Sequence, residues 1–269
     1  MTTATLARHD RDYLEAALPI ARAAGELLAG ELGHARQVEL KGSINLVTEM
    51  DRRAEELIVE RLSRTFPDFA IIAEEGSQHQ VGNEYRWYVD PLDGTTNYAH
   101  GLPVFCVSMG LWRGDRPVCG IVYHPTGDEL FTAVTGGGAY LNSHRLSVST
   151  TSELGHALLA TGFPYDIRTT ADDNLDHFAH FAKRARAIRR MGAAALDLAW
   201  TAAGRFDGFW EMKLSPWDFA AAVILCLEAG AVVTNFRGAP FTLAEGQAVA
   251  ANRVLHPQLL GVLAEGRLP

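Results

Sequence analysis

From Tyr13 onward, Ala17, Ile20, Ala21, Ala24, Leu27, Leu28 and Leu32 return at helical spacing. They predict a long amphipathic first helix whose apolar stripe packs on a sheet. A polar loop around Lys41 to Asn45 comes next, then Leu46-Val47-Thr48, then a second helix from near Asp51. Ala54, Leu57, Ile58 and Leu62 form its inward stripe and Pro67 stops it. Two apolar runs follow. Phe69-Ala70-Ile71-Ile72-Ala73 ends on Glu74-Glu75-Gly76, and Arg86-Trp87-Tyr88-Val89 ends on Asp90-Pro91-Leu92-Asp93-Gly94. Both read as buried strands, and both stop on acids.

The pattern then changes to short β-like runs, Val104 to Trp112, Val118 to Tyr123 and Glu129 to Val134, punctuated by Arg113-Gly114-Asp115 and Thr126-Gly127-Asp128. This predicts an antiparallel meander. Gly136-Gly137-Gly138 is followed by neither Lys-Ser nor Lys-Thr and by no helical pattern, so it reads as a hairpin turn rather than a phosphate loop. Beyond residue 145 strand and helix signals alternate: strands at His156 to Thr161 and Ala231 to Asn235, helices at Asn174 to Arg186, Ala193 to Ala203, Pro216 to Ala229 and Pro257 to Leu263. A soft boundary there divides the chain into halves, 1–145 and 146–269, of one compact unit. The basic run Lys183 to Arg190 reads as the solvated face and end of a helix, with an Arg beside a phosphate pocket as the alternative.

Composition narrows the class. A chain of 269 residues with 48% hydrophobic content can bury a large core. A net charge of −8 with scattered basic residues gives no electrostatic footprint for nucleic acid. Cys106, Cys119 and Cys226 are widely spaced in apolar sequence and read as reduced core thiols. Met1 to Arg8 lacks the apolar core of a signal peptide, and no apolar run approaches the length of a membrane span. A cytoplasmic protein is expected. The histidines, among them His100, His124, His144, His156, His177, His180 and His256, show no metal-ligand spacing.

The chemistry concentrates where the second strand stops. Asp90 and Asp93 can point into one small volume, with the Leu92 carbonyl between them as a third oxygen. Such a set suits a hard cation, Mg²⁺. Thr95, Thr96 and Asn97 are helix-capping types, so the amides near Gly94 and Thr95 can face an anion beside the metal. Metal and helix terminus together suggest a phosphate ester. Glu74 or Glu75 joins this cluster if the two strand ends are neighbours; otherwise the pair lies in a solvated loop. Ser215-Pro216-Trp217-Asp218 is a helix start in which the cap accounts for Asp218 locally.

Asp90-Pro91-Leu92-Asp93-Gly94-Thr95-Thr96-Asn97, preceded by Glu74-Glu75 and followed by Trp217-Asp218, resembles the inositol monophosphatase family of Mg²⁺-dependent phosphatases. Leu46-Val47-Thr48 with Asp51, Gly120 to Leu141, Gly192 to Ala195 and Gly208 to Ala222 extend the resemblance over nearly the whole chain. It implies a layered αβαβα sandwich, a homodimer and inhibition by Li⁺. It also implies two or three Mg²⁺ ions held by Glu74, Asp90, Asp93, Asp218 and the Leu92 carbonyl. Water activated there, oriented by Glu74 and Thr95 with Asp51 as acceptor of the Thr95 proton, would attack phosphorus in line without a phosphoenzyme. Asp93, Gly94, Thr95 and Asp218 would border the phosphate.

By the same resemblance Gly192 and Ala194 would wall the alcohol pocket, and Glu211 would accept a polyol hydroxyl. A solvated acid ahead of a helix is the other reading of Glu211. The implied substrate is myo-inositol 1-phosphate; histidinol phosphate, fructose bisphosphate, another sugar or nucleotide phosphate, and a catalytically silent scaffold are the alternatives. The Phe163 to Asp173 loop is expected to border the pocket. Asn45, His144 and Lys213 depart from the family pattern. Aspartyl-phosphate phosphatases carry Asp-x-Asp-Gly-Thr, whereas Asp90 and Asp93 stand three apart.

Overall fold

The computed structural model describes residues 3–33, 38–40, 46–79 and 84–265. The expected loop at 41–45, with Asn45, lies outside them. Helix α1 (Thr3–Glu31) leads through β1 (Val38–Leu40) and β2 (Leu46–Thr48), an antiparallel pair, into α2 (Glu49–Thr65). An eight-stranded sheet follows from β3 (Ala70–Ala73), β4 (Gln78–His79), β5 (Tyr85–Asp93), β6 (Cys106–Arg113), β7 (Arg116–His124), β8 (Glu129–Val134), β9 (Gly138–Leu141) and β10 (His144–Arg145). The short helix α3 (Thr95–Ala99) follows β5. The order β10-β9-β8-β7-β6-β5-β3-β4 contains one parallel pair, β3 with β5; the meander from β6 to β9 is antiparallel as expected, and β5 and β10 extend it antiparallel at its two ends.

The second sheet comprises β11 (Leu158–Thr161), β12 (Ala187–Arg189), β13 (Gly208–Met212), β14 (Val232–Thr234) and β15 (Gln247–Ala251), in the order β12-β11-β13-β15-β14. Its first three strands are parallel. Helices α4 (Leu175–Ala182), α5 (Ala194–Ala202), α6 (Pro216–Phe219), α7 (Ala222–Glu228) and α8 (His256–Leu263) connect or flank these strands.

Three apolar cores order the layers. α1 and α2 bury Ala17, Leu28, Ile58 and Leu62 with Trp87, Val107, Met109 and Ile121 on one face of the first sheet. On its other face Cys106, Val122 and Phe131 join Leu196, Leu198, Phe219 and Val223 of α5 to α7, and the same core continues to Phe209, Ala248 and Ala250 of the second sheet. Trp210, Val249 and Ala251, one residue on and therefore on the opposite face, pack with Phe181 of α4 and Leu259 of α8. The result is an αβαβα sandwich with both faces of both sheets covered.

Four expectations need correction. β13 and β15 were not anticipated: Gly208-Phe209-Trp210-Glu211-Met212 is short, and Gln247-Ala248-Val249-Ala250-Ala251 is rich in a helix former, so burial between layers decides their state over propensity. α4 ends at Ala182 rather than Arg186, because the Arg186 N–H donates to Ala157 O at 3.1 Å and draws 187–189 into β12. The predicted helix from Pro216 to Ala229 is interrupted between α6 and α7, where the Trp112 indole N–H takes the Ala220 carbonyl at 3.1 Å. The strand expected from His156 begins at Leu158, after a short 3₁₀ turn.

Candidate active site

β3 and β5 are parallel with Ala73 opposite Val89, so Glu74 leaves its strand beside Asp90. The Glu74 N–H donates to Val89 O at 3.2 Å. Pairing of β5 with β6 is regular to Asp90 and then shifts before Asp93. An irregularity of this kind re-aims side chains at a strand end, and Glu74, Asp90, Leu92 and Asp93 all line one cleft. Asp90 Oδ1 accepts the Leu92 N–H at 3.0 Å. Gly94 makes the turn at φ 97°, and a β-carbon there would stand 2.8 Å from the Val104 carbonyl oxygen. Both the backbone angle and the space demand glycine.

Asp51 has two duties. It is the third residue of α2 and closes a capping box: Oδ2 accepts the Thr48 N–H at 2.8 Å and the Thr48 hydroxyl at 2.6 Å. Oδ1 accepts the Thr95 hydroxyl at 2.8 Å, across 44 residues of chain. That hydroxyl also lies 3.1 Å from Leu92 O, but with one proton it serves one acceptor at a time. Glu55, one turn after Asp51 on the same buried stripe, accepts the N–H groups of Glu75 at 2.7 Å and Ser77 at 2.9 Å, pinning the turn after Glu74. The sequence reading missed Glu55; an acid four residues from Asp51 on an inward face was the available signal.

Asp93 reaches the other half of the chain. Its carboxylate accepts the N–H groups of Ala194 at 3.1 Å, Ala195 at 2.7 Å and Leu196 at 3.4 Å. Ala193, the residue before α5, gives the helix no side-chain cap, and Asp93 takes that place. Asp218 is held by its capping box, with the Ser215 N–H donating to Oδ2 at 2.7 Å. Two glycines bring it to the cleft. A β-carbon on Gly110 would lie 2.7 Å from the Ala220 carbonyl carbon, and one on Gly120 would collide with the Ala221 carbonyl oxygen. The α6–α7 backbone therefore rests directly on β6 and β7.

Burial, then the charges of Glu74, Asp93 and Asp218, hold Asp90 well above the usual carboxylate range. Burial, then Glu74, does the same to Asp218, against the Ser215 amide. Burial pushes Asp93 up to about 6, against the amides of α5 and the Cys106 thiol. Such a crowd of acids calls for a cation. Among the described residues no three His, Cys, Asp or Glu side chains form a ready-made metal cage. The donors are all oxygen, and several are turned to amides. An all-oxygen donor set suits a hard cation.

The opposite lip comes from the second sheet. Thr161 to Tyr165 leave β11, Arg190 follows β12 and Lys213 follows β13, so three parallel strands present their carboxyl ends to the cleft. Arg190 lines the cleft, so the basic run is not simply a solvated helix face. Glu211 is 9% exposed inside β13, not a solvated acid ahead of a helix; its carboxyl fills the space that a side chain at Gly162 would occupy. Burial, then Asp93, pushes it up to about 8, against Arg190. Gly192, at φ 84°, and Ala194 line the cleft, while the Asn97 amide ties α3 to the Met191 carbonyl at 2.8 Å. Asp197, a further buried lining acid that the sequence reading passed over, is held well above its usual range by burial, then by Glu211 and Asp93.

The three cysteines are buried and unpaired in disulfides. Among the described residues no helix is long and apolar enough to cross a membrane. The model of the inositol monophosphatase family matches residues 9–267. The chain belongs to this family. The inositol monophosphatase family member is 44% identical over 254 residues to inositol-1-monophosphatase of Synechocystis, covering 94% of this chain and 88% of that one. It is 43% identical to the Nus factor SuhB of Pseudomonas aeruginosa, covering 92% and 94%. The solved inositol monophosphatase of Anabaena superposes with a TM-score of 0.87 at 43% identity, covering 95% and 96%.

Proposed function

We propose that this protein hydrolyses a phosphate monoester, myo-inositol 1-phosphate, with Mg²⁺ and without a covalent phosphoenzyme. The observation that carries the reading is the 2.8 Å hydrogen bond from the Thr95 hydroxyl to Asp51, set at the edge of a cleft walled by Glu74, Asp90, Asp93 and Asp218. Thr48 occupies Asp51 Oδ2, which leaves Oδ1 to hold the Thr95 proton. The Thr95 oxygen then keeps a lone pair for a water, and Glu74, lining the same cleft, offers a second acceptor. A water so held has its own lone pair free for phosphorus. Glu74, Asp90, Asp93, Asp218 and the Leu92 carbonyl would hold two or three Mg²⁺ ions. Mg²⁺ bound there supplies neutralisation of the phosphate dianion, acidification of the water and stabilisation of the leaving alkoxide.

Gly94 and Thr95 border the phosphate, and Gly192, Ala194 and Glu211 face the alcohol. Glu211, protonated at neutral pH, can both donate to and accept from a polyol hydroxyl. Li⁺ inhibition, a homodimer and a cytoplasmic location belong to the same reading. Phosphate release from myo-inositol 1-phosphate, with Mg²⁺ and with chelator, beside other phosphomonoesters, tests it. Mg²⁺-dependent release fastest on the inositol ester is expected. Faster release from another ester moves the substrate assignment; none from any ester sinks the enzyme reading.

The Nus factor name of one relative supports a second reading, a role that uses the fold without turnover. Asp90→Asn separates the two, since a scaffold keeps its role while a phosphatase loses it. It is a cleaner probe than Asp93→Asn, because Asp93 also caps α5.

A further inference from the structure

Lys213 stands where β13 runs out onto the lip of the cleft, with φ 58°, in the left-handed region that favours glycine. A lysine there is disfavoured by its backbone, so its side chain has to offer something in return. Its Nζ donates to Asp166 Oδ2 at 2.8 Å and Oδ1 at 3.1 Å, lies 3.4 Å from the Thr170 hydroxyl, and is 4.0 Å from Asp172. All three partners belong to the connection between β11 and α4. Asp166 is also the pivot of that connection, since its carbonyl accepts the N–H groups of Thr169 at 2.9 Å and Thr170 at 3.1 Å. Tyr165, the residue before it, lines the cleft.

Tyr165 leaves 58% of its surface exposed. The ring thus stands at the mouth of the cleft, lining it while much of its surface stays open to solvent. A cyclic polyol offers matching surfaces, a C–H face for the ring and a hydroxyl rim for Glu211. A small acyclic alcohol has no comparable face.

We propose that Lys213 is a positioning residue that ties the 163–173 segment to β13, sets Tyr165 as the outer wall of the alcohol pocket, and so selects cyclic over acyclic esters. The selectivity rests on the phosphatase reading above; the tie itself does not. Lys213→Gly removes the tie and relieves the backbone at once, so a purely structural lysine would yield an equally or more stable protein with unchanged kinetics.

The expected result is an undiminished Tm and a KM for myo-inositol 1-phosphate raised about fivefold, the scale of a population shift from one exposed ion pair. kcat should move less than about twofold, and KM for glycerol 2-phosphate should hold within about twofold. Asp166→Asn should shift KM in the same direction, and Lys213→Asp combined with Asp166→Lys should recover part of the discrimination. Amide hydrogen exchange across 163–173, measured without metal or substrate, should quicken in Lys213→Gly. Unchanged exchange overturns the tie. Quickened exchange with equal KM shifts on both esters, or with none, overturns the selectivity. If the wild-type protein cleaves neither ester, the inositol-ester assignment falls and takes the selectivity with it, while exchange still decides the tie.

Discussion

The acid-lined wall of the cleft and its opposite lip are both built from the carboxyl ends of parallel strands, yet they are fastened differently. On the acid wall the carboxylates proposed for the chemistry are themselves the fasteners: Asp51 caps α2, Asp93 caps α5 and Asp218 caps α6. On the lip, Lys213 grips Asp166 through exposed side chains and Glu211 sits in space left by Gly162. The wall is therefore preorganised by backbone hydrogen bonds made on folding, whereas the lip is fastened through side chains. Chemistry common to a family is suited to the first, and choice of alcohol to the second.

The largest effect should come from removing one charge on the wall while keeping its hydrogen bond. Asp90→Asn retains an oxygen for the Leu92 N–H and should lower kcat by roughly 10²- to 10³-fold with the circular dichroism spectrum unchanged. Retained turnover would place the metal chemistry elsewhere. Next comes the contact that brings Asp218 to the wall. A methyl added by Gly110→Ala would stand 2.7 Å from the Ala220 carbonyl carbon, so backbone must move. Overpacking of this kind costs roughly 1–3 kcal/mol. Thermal melts should show that loss together with reduced turnover. A variant as stable and active as the parent would mean that α6 is not seated by this contact.

The same contrast explains what could be read from the chain alone. The acid wall was legible because its strands are long apolar runs that stop on acids within the chain itself, and Asp90 to Gly94 is a local motif. Glu55 escaped because its partners lie 20 and 22 residues away, and the cap of α5 escaped because Asp93 is more than 100 residues from it. The lip was harder for a further reason. β12 is a three-residue strand hidden in a basic run, and β15 is mostly alanine, so neither carries a strand signal before the layers close around it. A solvated Glu211 stayed open as the second reading for the same reason, since β13 was not seen.

Glu211 gives the finest test of the comparison, because it is a lip residue whose ionisation feels the wall. Burial and Asp93 raise it to about 8 in the folded chain, against 4.5 as its ordinary value. Below pH 4.5 the acid is protonated folded or unfolded, and its stabilising preference is fully present. Between there and about 8 the unfolded chain gives up the proton and the folded chain keeps it, so stability falls as pH rises, until Glu211 ionises in place. Gln cannot ionise and lacks this slope. Glu211→Gln should therefore gain in Tm relative to the parent as pH is raised from 5.5 to 8.5 in the presence of chelator; acids that do not feel Glu211 drop out of the difference, and Asp197 and Asp218, which its charge repels, add to it in the same direction. A constant difference would mean that the folded protein already holds Glu211 ionised, with Arg190 outweighing burial. In that case the lip would meet a polyol as an acceptor only, and the hydroxyl facing it would have to donate.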